Sequence, residues 1–162
     1  MAVSDTDRRF LTLAVELAER ALTAGDEPFG SVLVSAEGEV LFEDHNHVAG
    51  GDATRHPELA IARWAAANLA PETRRCCVVY TSGEHCPMCA AAHGWVGLGR
   101  IVYASSSAQL AQWSAELGLP ASPVAALPIQ VVVPGAEVDG PDDDLATRVR
   151  ELHERRPGGA RP

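Results

Sequence analysis

Lysine is absent from this chain of 162 residues, and all 13 of its basic side chains are arginine. Set against 22 acidic residues, they leave a formal net charge of −9. Such a body repels a polyanion such as RNA on average, and only a local basic patch would overcome that. Five arginines (Arg148, Arg150, Arg155, Arg156, Arg161) fall in the last fifteen residues, so the remainder is more acidic still. No apolar run is long enough to span a bilayer. The N-terminal stretch MAVSDTDRRFLTLAVELAER carries charges throughout and has no cleavable signal pattern. These absences predict a cytoplasmic protein with no membrane contact, in a compartment where thiols stay reduced. Internal repeats and a clear linker are lacking as well. One domain over 1–154 is expected, followed by an Arg/Pro/Gly-rich tail over 155–162 that has too little apolar content to fold alone.

What is present suits one globular domain with a sizeable core: 46% hydrophobic and 22% charged residues. Apolar residues at helical spacing predict a helix over 5–24, closed by Gly25. FGSVLVS (29–35) and EVLFED (39–44) are short β-rich runs joined by a tight connection, which reads as a hairpin. A helix follows over 57–69, then the nearly continuous apolar run CCVVYTS (76–82), which fits a buried central strand. A core helix over 87–98, a strand over 100–105, a short helix over 107–117, a last strand IQVVV (129–133) and a polar helix over 142–154 complete the order. Strands alternating with helices predict an α/β protein. The expected architecture is a three-layer α/β/α sandwich on a five-stranded mixed sheet, with an antiparallel hairpin of the first two strands and the remaining strands parallel.

Four cysteines in a reducing compartment shift expectation from disulfides to metal or redox chemistry. Cys86 and Cys89 form a Cys-x-x-Cys pair, whereas Cys76 and Cys77 begin a buried strand and read as small core residues. The two core helices start alike, His56-Pro57-Glu58 and Cys86-Pro87-Met88-Cys89. Proline is favoured at the first helical position, so His56 and Cys86 would each be an N-cap. Cys89 then lies near Cys86 on the first turn. Positive helix ends favour thiolate over thiol. One imidazole and two thiolates make three zinc ligands with one open position, a catalytic rather than a structural arrangement. Glu58 need not ligate and could move protons at the open position. A thioredoxin-like redox pair would account for the cysteines but leave His56 and Glu58 unused.

Together these motifs resemble the H-x-E…P-C-x-x-C signature of the zinc-dependent cytidine deaminase-like superfamily. TSGEHCPMC (81–89) and RIVYA (100–104) are similar to the branch of guanine deaminases, other nucleobase deaminases and tRNA adenosine deaminases. The resemblance implies a cytidine deaminase-like fold, Zn²⁺ as cofactor and a homodimer. It implies hydrolytic deamination by zinc-hydroxide attack, with Glu58 as proton shuttle. The implied substrate is a free amino-heterocycle of guanine, cytosine, isoguanine or aminotriazine type. It also marks Asn46, Phe29 and Trp95 as substrate contacts; on general grounds Asn46 would be a turn residue and the aromatic pair core. Glu84 is open between a solvated side chain and a contact to an amidine group. His85 stands where the family has proline, which bears on the choice of substrate more than on the reaction. Some guanine deaminases close the active site with a C-terminal segment, and the arginine-rich tail could do so here. A tRNA adenosine deaminase and a non-enzymatic zinc-stabilised domain are the alternatives. The shortage of basic residues disfavours the first, and an open zinc position would exclude the second.

Overall fold

The computed structural model describes residues 3–157. Helix α1 (Asp5–Thr23) starts at Ser4, whose side chain accepts from the Asp7 N–H while the Asp7 carboxylate accepts from the Ser4 N–H, a reciprocal cap. Strands β1 (Gly30–Val34) and β2 (Val40–His45) form the expected antiparallel hairpin. After a 3-10 turn over Val48–Gly50 come α2 (Pro57–Asn68), α3 (Pro71–Cys76), β3 (Val78–Gly83), α4 (Pro87–Val96) and β4 (Ile101–Ser105). The chain continues through α5 (Ser107–Glu116), α6 (Ile129–Val132), β5 (Val138–Asp139) and α7 (Asp143–Glu154). The sheet order is β2-β1-β3-β4-β5. β1 pairs antiparallel with both β2 and β3, whereas β3, β4 and β5 run parallel. Among the described residues no helix is long and apolar enough to cross a membrane.

The three layers follow from the period-two alternation of a strand. Val32, Val34, Tyr80, Val102 and Ala104 face one side and join Phe10, Leu11 and Val15 of α1 and Leu145 and Val149 of α7. Leu33 and Val79 face the other side, against Ile61, Ala62 and Ala65 of α2. Ile101 meets Ala90 of α4 and Ile129 of α6 on that side. Strands covered on both faces read as unbroken apolar runs, which is why 76–82 has no alternating pattern. Gly30 permits the closest of these approaches: a Cβ there would run into the backbone of Ala14 and Ala18 in α1.

Two features differ from the expectation. IQVVV is the short helix α6, and the fifth strand is the two-residue β5, paired through Ile101↔Val138 and Val102↔Asp139. β-branched residues favour strands, but tertiary contacts win here. The Ile129 N–H donates to Glu84 Oε1 at 3.0 Å, Ile129 is fully buried, and Val133 fits the gap left by Gly94 on α4. The other difference is α3, which occupies the end of the stretch read as loop and strand. Cys76 therefore ends a helix and is exposed, while Cys77 is core as expected.

β5 is short but firmly tied. Arg100 donates to both carboxylate oxygens of Asp7 (2.9 and 3.1 Å) and to Asp139 Oδ2 (2.6 Å), and Tyr80 Oη donates to Asp7 Oδ1 at 2.9 Å. Burial pushes the Asp7 carboxyl up. Hydrogen bonds from Arg100, Ser4 and Tyr80 outweigh it and hold the group well below the usual carboxylate range. At the other end of the chain, Arg155 pairs with Glu19 at 2.9 Å and Arg156 with Glu27 at 2.6 Å. The start of the tail is thus docked on the acidic body, while 158–162, including Arg161, lie outside the described residues.

His153 of α7 is buried with neither ring nitrogen hydrogen-bonded among the described residues, and its ring lies edge-on to Phe29 at 5.2 Å. Burial, helped by Arg156, lowers its pKa from 6.5 to about 3. The folded value lies below the unfolded one. The stability contributed by the neutral ring is therefore present above the unfolded pKa and is lost as pH falls toward the folded one. Thermal melts across that window should show a falling midpoint, and His153→Leu should make the fall shallower. An identical acid dependence in the variant would exclude His153 as a source of it.

Candidate metal centre and active-site cavity

In open α/β sheets, sites form beyond the carboxyl ends of parallel strands. Here β3 ends at Gly83 and β4 at Ser105, and the loops that follow carry Glu84–Cys86 and Ser106–Ser107. Antiparallel β1 begins at the same end, with Gly30 and Ser31. Helices α2 and α4 pack side by side in one layer. Their N-caps are His56 and Cys86, each followed by proline at the first helical position, as the sequence predicts. Neither makes a side-chain capping hydrogen bond. Both are turned instead toward one point.

His56 Nδ1 lies 3.6 Å from Cys86 Sγ and 3.6 Å from Cys89 Sγ. Zinc ligands at about 2.05 Å (N) and about 2.3 Å (S), at the tetrahedral angle, stand about 3.6 Å apart. The three side chains thus already hold the spacing of a zinc cradle, and the donor set of one imidazole and two thiols suits that ion. Cys86 is pulled down to about 4, first by the hydrogen bond from Cys89 and also by His56, against the opposing effect of burial. Cys89 is pushed up by the same bond to Cys86 and by burial. Two adjacent thiols without a cation share one proton. The fall at Cys86 is favoured further by its place at the N-terminus of α4.

Glu58, two residues into α2, is buried beside this cradle. Its Oε1 accepts from Ser31 Oγ at 2.9 Å and from Thr81 Oγ1 at 2.8 Å. Ser31 and Thr81 are direct partners across β1 and β3, and their hydroxyls are 2.8 Å apart. Thr81 Oγ1 also reaches the Gly83 carbonyl at 2.9 Å. Both hydroxyls can donate to an ionised Glu58. When Glu58 carries a proton on Oε1, the chain can run Glu58 to Ser31 to Thr81 to Gly83. Two hydroxyl protons therefore serve either state of the carboxyl. Burial raises the Glu58 pKa, while His56 and the hydroxyls of Thr81 and Ser31 oppose the rise. Sequence reading missed this pair. The available signal was a polar residue at one face-equivalent position in each of two otherwise apolar strands.

A cavity of about 510 Å³ opens over the cradle. Phe29, His56, Glu58 and Cys86 line its inner part, and Leu110 and Leu127 are among the side chains of its outer wall. Glu27 and Arg156 also line it, bonded to each other, a pair the sequence did not suggest. Phe29 lines the cavity and lies over Gly83, whose missing Cβ leaves room for the ring. Asn46 is fully buried and lies outside the lining. Its Oδ1 accepts from the Val48 N–H at 3.0 Å, and its Nδ2 has no partner among the described residues.

Glu84 lines the cavity with both oxygens engaged. Oε2 accepts from the N–H and hydroxyl of Ser107, and Oε1 from the Ile129 N–H. It ties the zinc-side loop to α5 and α6. Trp95 is a correction. It is 91% exposed and absent from the lining, because it sits nine residues beyond Cys86, about 13 Å down the α4 axis. His85 is buried behind the cradle, edge-on to His93 at 5.4 Å, and takes no part in the three-ligand group.

Residues 4–105 match the family model described as the cytidine and deoxycytidylate deaminase zinc-binding region. A probable cytosine deaminase of Schizosaccharomyces pombe is 32% identical over 119 residues, which cover 72% of this chain and 70% of that protein. Guanine deaminase of Bacillus subtilis is 36% identical over 105 residues, 64% of this chain and 67% of that one. The solved guanine deaminase of Nitrosomonas europaea superposes with a TM-score of 0.67 over 94% of this chain and 85% of that one; at 19% identity the likeness is one of fold. The chain belongs to the cytidine and deoxycytidylate deaminase zinc-binding family, whose cofactor is zinc.

Cys89→Ala should lose one equivalent of zinc and lower thermal stability in the same step, because metal binding is coupled to folding. Metal analysis by mass spectrometry beside a melting curve measures both. Unchanged zinc content in that variant would overturn the ligand set.

Proposed function

We propose that this family member hydrolytically deaminates a free amino-substituted nucleobase or related heterocycle, of guanine, cytosine, isoguanine or aminotriazine type, and releases ammonia. The observation that carries the proposal is Glu58, a buried carboxyl of raised pKa beside a three-ligand cradle at the floor of a cavity of about 510 Å³. That volume falls in the range of about 300–1,000 Å³ usual for small-molecule sites.

His56, Cys86 and Cys89 would hold the zinc. Bound there, zinc supplies a Lewis acid that lowers the pKa of a water ligand. Deamination adds water to the ring carbon bearing the amine, breaks the C–N bond and expels ammonia. Glu58 is placed to take a proton from water and return it to the ring nitrogen and the departing amine. Its Oε1 is held by Ser31 and Thr81, leaving Oε2 to exchange protons. The raised pKa suits a group that must release the proton it has just accepted. Phe29 offers a face to a planar ring. Asn46 is proposed as a further substrate contact on the family resemblance alone, since it is fully buried and lies outside the cavity lining.

The lining favours a free base over an anticodon loop. It carries Glu27, Glu58 and Glu84, and Arg156, the one arginine among the described residues of the lining, is held by Glu27. A phosphate backbone calls for cations to pair with it. Arg156 also brings the start of the tail to the cavity, in line with a C-terminal segment that covers substrate.

We propose a homodimer as well, through the α4–α6 surface. Trp95 on α4 and Val131 on α6 are 91% and 62% exposed, and the two helices pack together through Gly94 and Val133. An apolar aromatic left on such a surface fits an interface core.

Ammonia release should be measured across guanine, cytosine, isoguanine, adenine, aminotriazines, nucleosides and a tRNA anticodon stem-loop. A free base should be turned over best, and Glu58→Gln should lower kcat on it by about 10²–10⁴-fold with zinc retained. Turnover of the stem-loop alone would overturn the substrate class, and a fully active Glu58→Gln would remove Glu58 from the reaction. Sedimentation at micromolar concentration should give a dimer that Trp95→Glu dissociates. A monomeric wild-type protein would refute the dimer.

A further inference from the structure

A second group of side chains meets at the open end of the β1–β2 hairpin, with no member in common with the cysteine cradle. One ligand atom each of Asp26, His45 and His47 lies within 4.8 Å of the others, and all three residues are half-buried. His45 closes β2 and His47 follows two residues on, so both rings leave the extended chain on the same side, with centroids 4.4 Å apart. Asp26 comes from the turn between α1 and β1.

Hydrogen bonds settle which ring nitrogens are donors. His45 Nδ1 lies 3.0 Å from the Asn46 carbonyl and His47 Nε2 lies 2.9 Å from Asp44 Oδ1. Both partners are acceptors only, so each of those nitrogens carries the proton. In the neutral rings, Nε2 of His45 and Nδ1 of His47 are left with lone pairs. A ring nitrogen anchored to a carbonyl or carboxylate while the other faces a ligand is the usual support of a metal-binding histidine. Asp26 is anchored too, with Oδ1 accepting from the Ala49 N–H at 2.7 Å. Asp26 and Asp44 together supply two negative charges to offset a dication.

We propose that Asp26, His45 and His47 form a second metal site, distinct from the cysteine cradle, for a first-row divalent ion such as zinc or nickel. Two imidazoles and a carboxylate suit these ions and are poor ligands for magnesium or calcium. Tetrahedral ligands stand about 3.3 Å apart, so the half-buried side chains close slightly on binding. Water completes the coordination. The ion acts as a clamp. It joins the α1–β1 turn, which leads directly into Glu27 and Phe29 of the cavity lining, to the exit of β2 on both sides of Asn46. The Asn46 N–H already donates to the Phe29 carbonyl at 3.0 Å, so the clamp steadies that cavity wall.

The test is zinc stoichiometry by equilibrium dialysis and mass spectrometry on the tag-free full chain, beside thermal melts with added zinc. Wild type should take up a second equivalent and melt at a higher temperature in excess zinc. The double substitution His45→Ala and His47→Ala should keep one equivalent and lose the zinc-dependent rise. Asp44→Asn, which replaces the carboxylate anchor of His47 by a neutral amide, should weaken the second equivalent by about 10–100-fold. Cys89→Ala should lose the other equivalent and keep this one, so the two sites fail independently. A wild type that binds only one equivalent would overturn the site. So would a second equivalent that survives the double substitution, or an unchanged affinity in Asp44→Asn.

Discussion

The site depends on two helices of one layer beginning at the same place. Each begins with a candidate metal ligand at its N-cap and a proline behind it, and neither cap residue makes a side-chain capping hydrogen bond. The unsatisfied N–H groups of both first turns surround one point, where negative charge on sulfur is favoured. From that convergence follow the ligand spacing, the position of Glu58 on the first turn of α2, and the cavity above. The sheet makes the convergence possible, because β3 delivers the chain to α4 beside the hairpin that delivers it to α2.

A buried carboxyl is costly unless its surroundings satisfy it. Ser31 and Thr81 meet that need for Glu58, and they do so from the middle of strands whose other inward residues are apolar. The opposite edge of the protein uses the same device on a larger scale. Asp7 and Asp139 share Arg100, and Tyr80 and Ser4 complete the shell of Asp7. In one place the polar network surrounds a buried carboxyl at a cavity; in the other it fastens a two-residue strand to the sheet. The difference lies in access. Glu58 lines a cavity, whereas the Asp7 network is closed by its own arginine.

Residue chemistry at short spacing was legible in the chain. His56-Pro57-Glu58 and Cys86-Pro87-Met88-Cys89 announce two helix starts, because proline and the cap act within one turn. The hairpin, the central strands and most helices were legible for the same reason, through patterns that repeat locally. Trp95 shows the limit of that logic. The family resemblance marked it as a substrate contact, but helical rise carries it away from the cavity to an exposed surface.

The sequence by itself determined the ligand types, the acid beside them and the α/β order, since each depends on contacts within a few residues. Tertiary structure decided the rest. It turned most of the run 129–133 into the helix Ile129–Val132, because Glu84 fixes its first N–H and Gly94 receives Val133. It set Ser31 opposite Thr81 beneath Glu58, brought Arg156 back to Glu27 across the length of the chain, and gathered Asp26, His45 and His47 at one corner. These groups lie far apart along the chain or on separate elements. Strand register and helix packing bring them together, and neither is written in any local pattern.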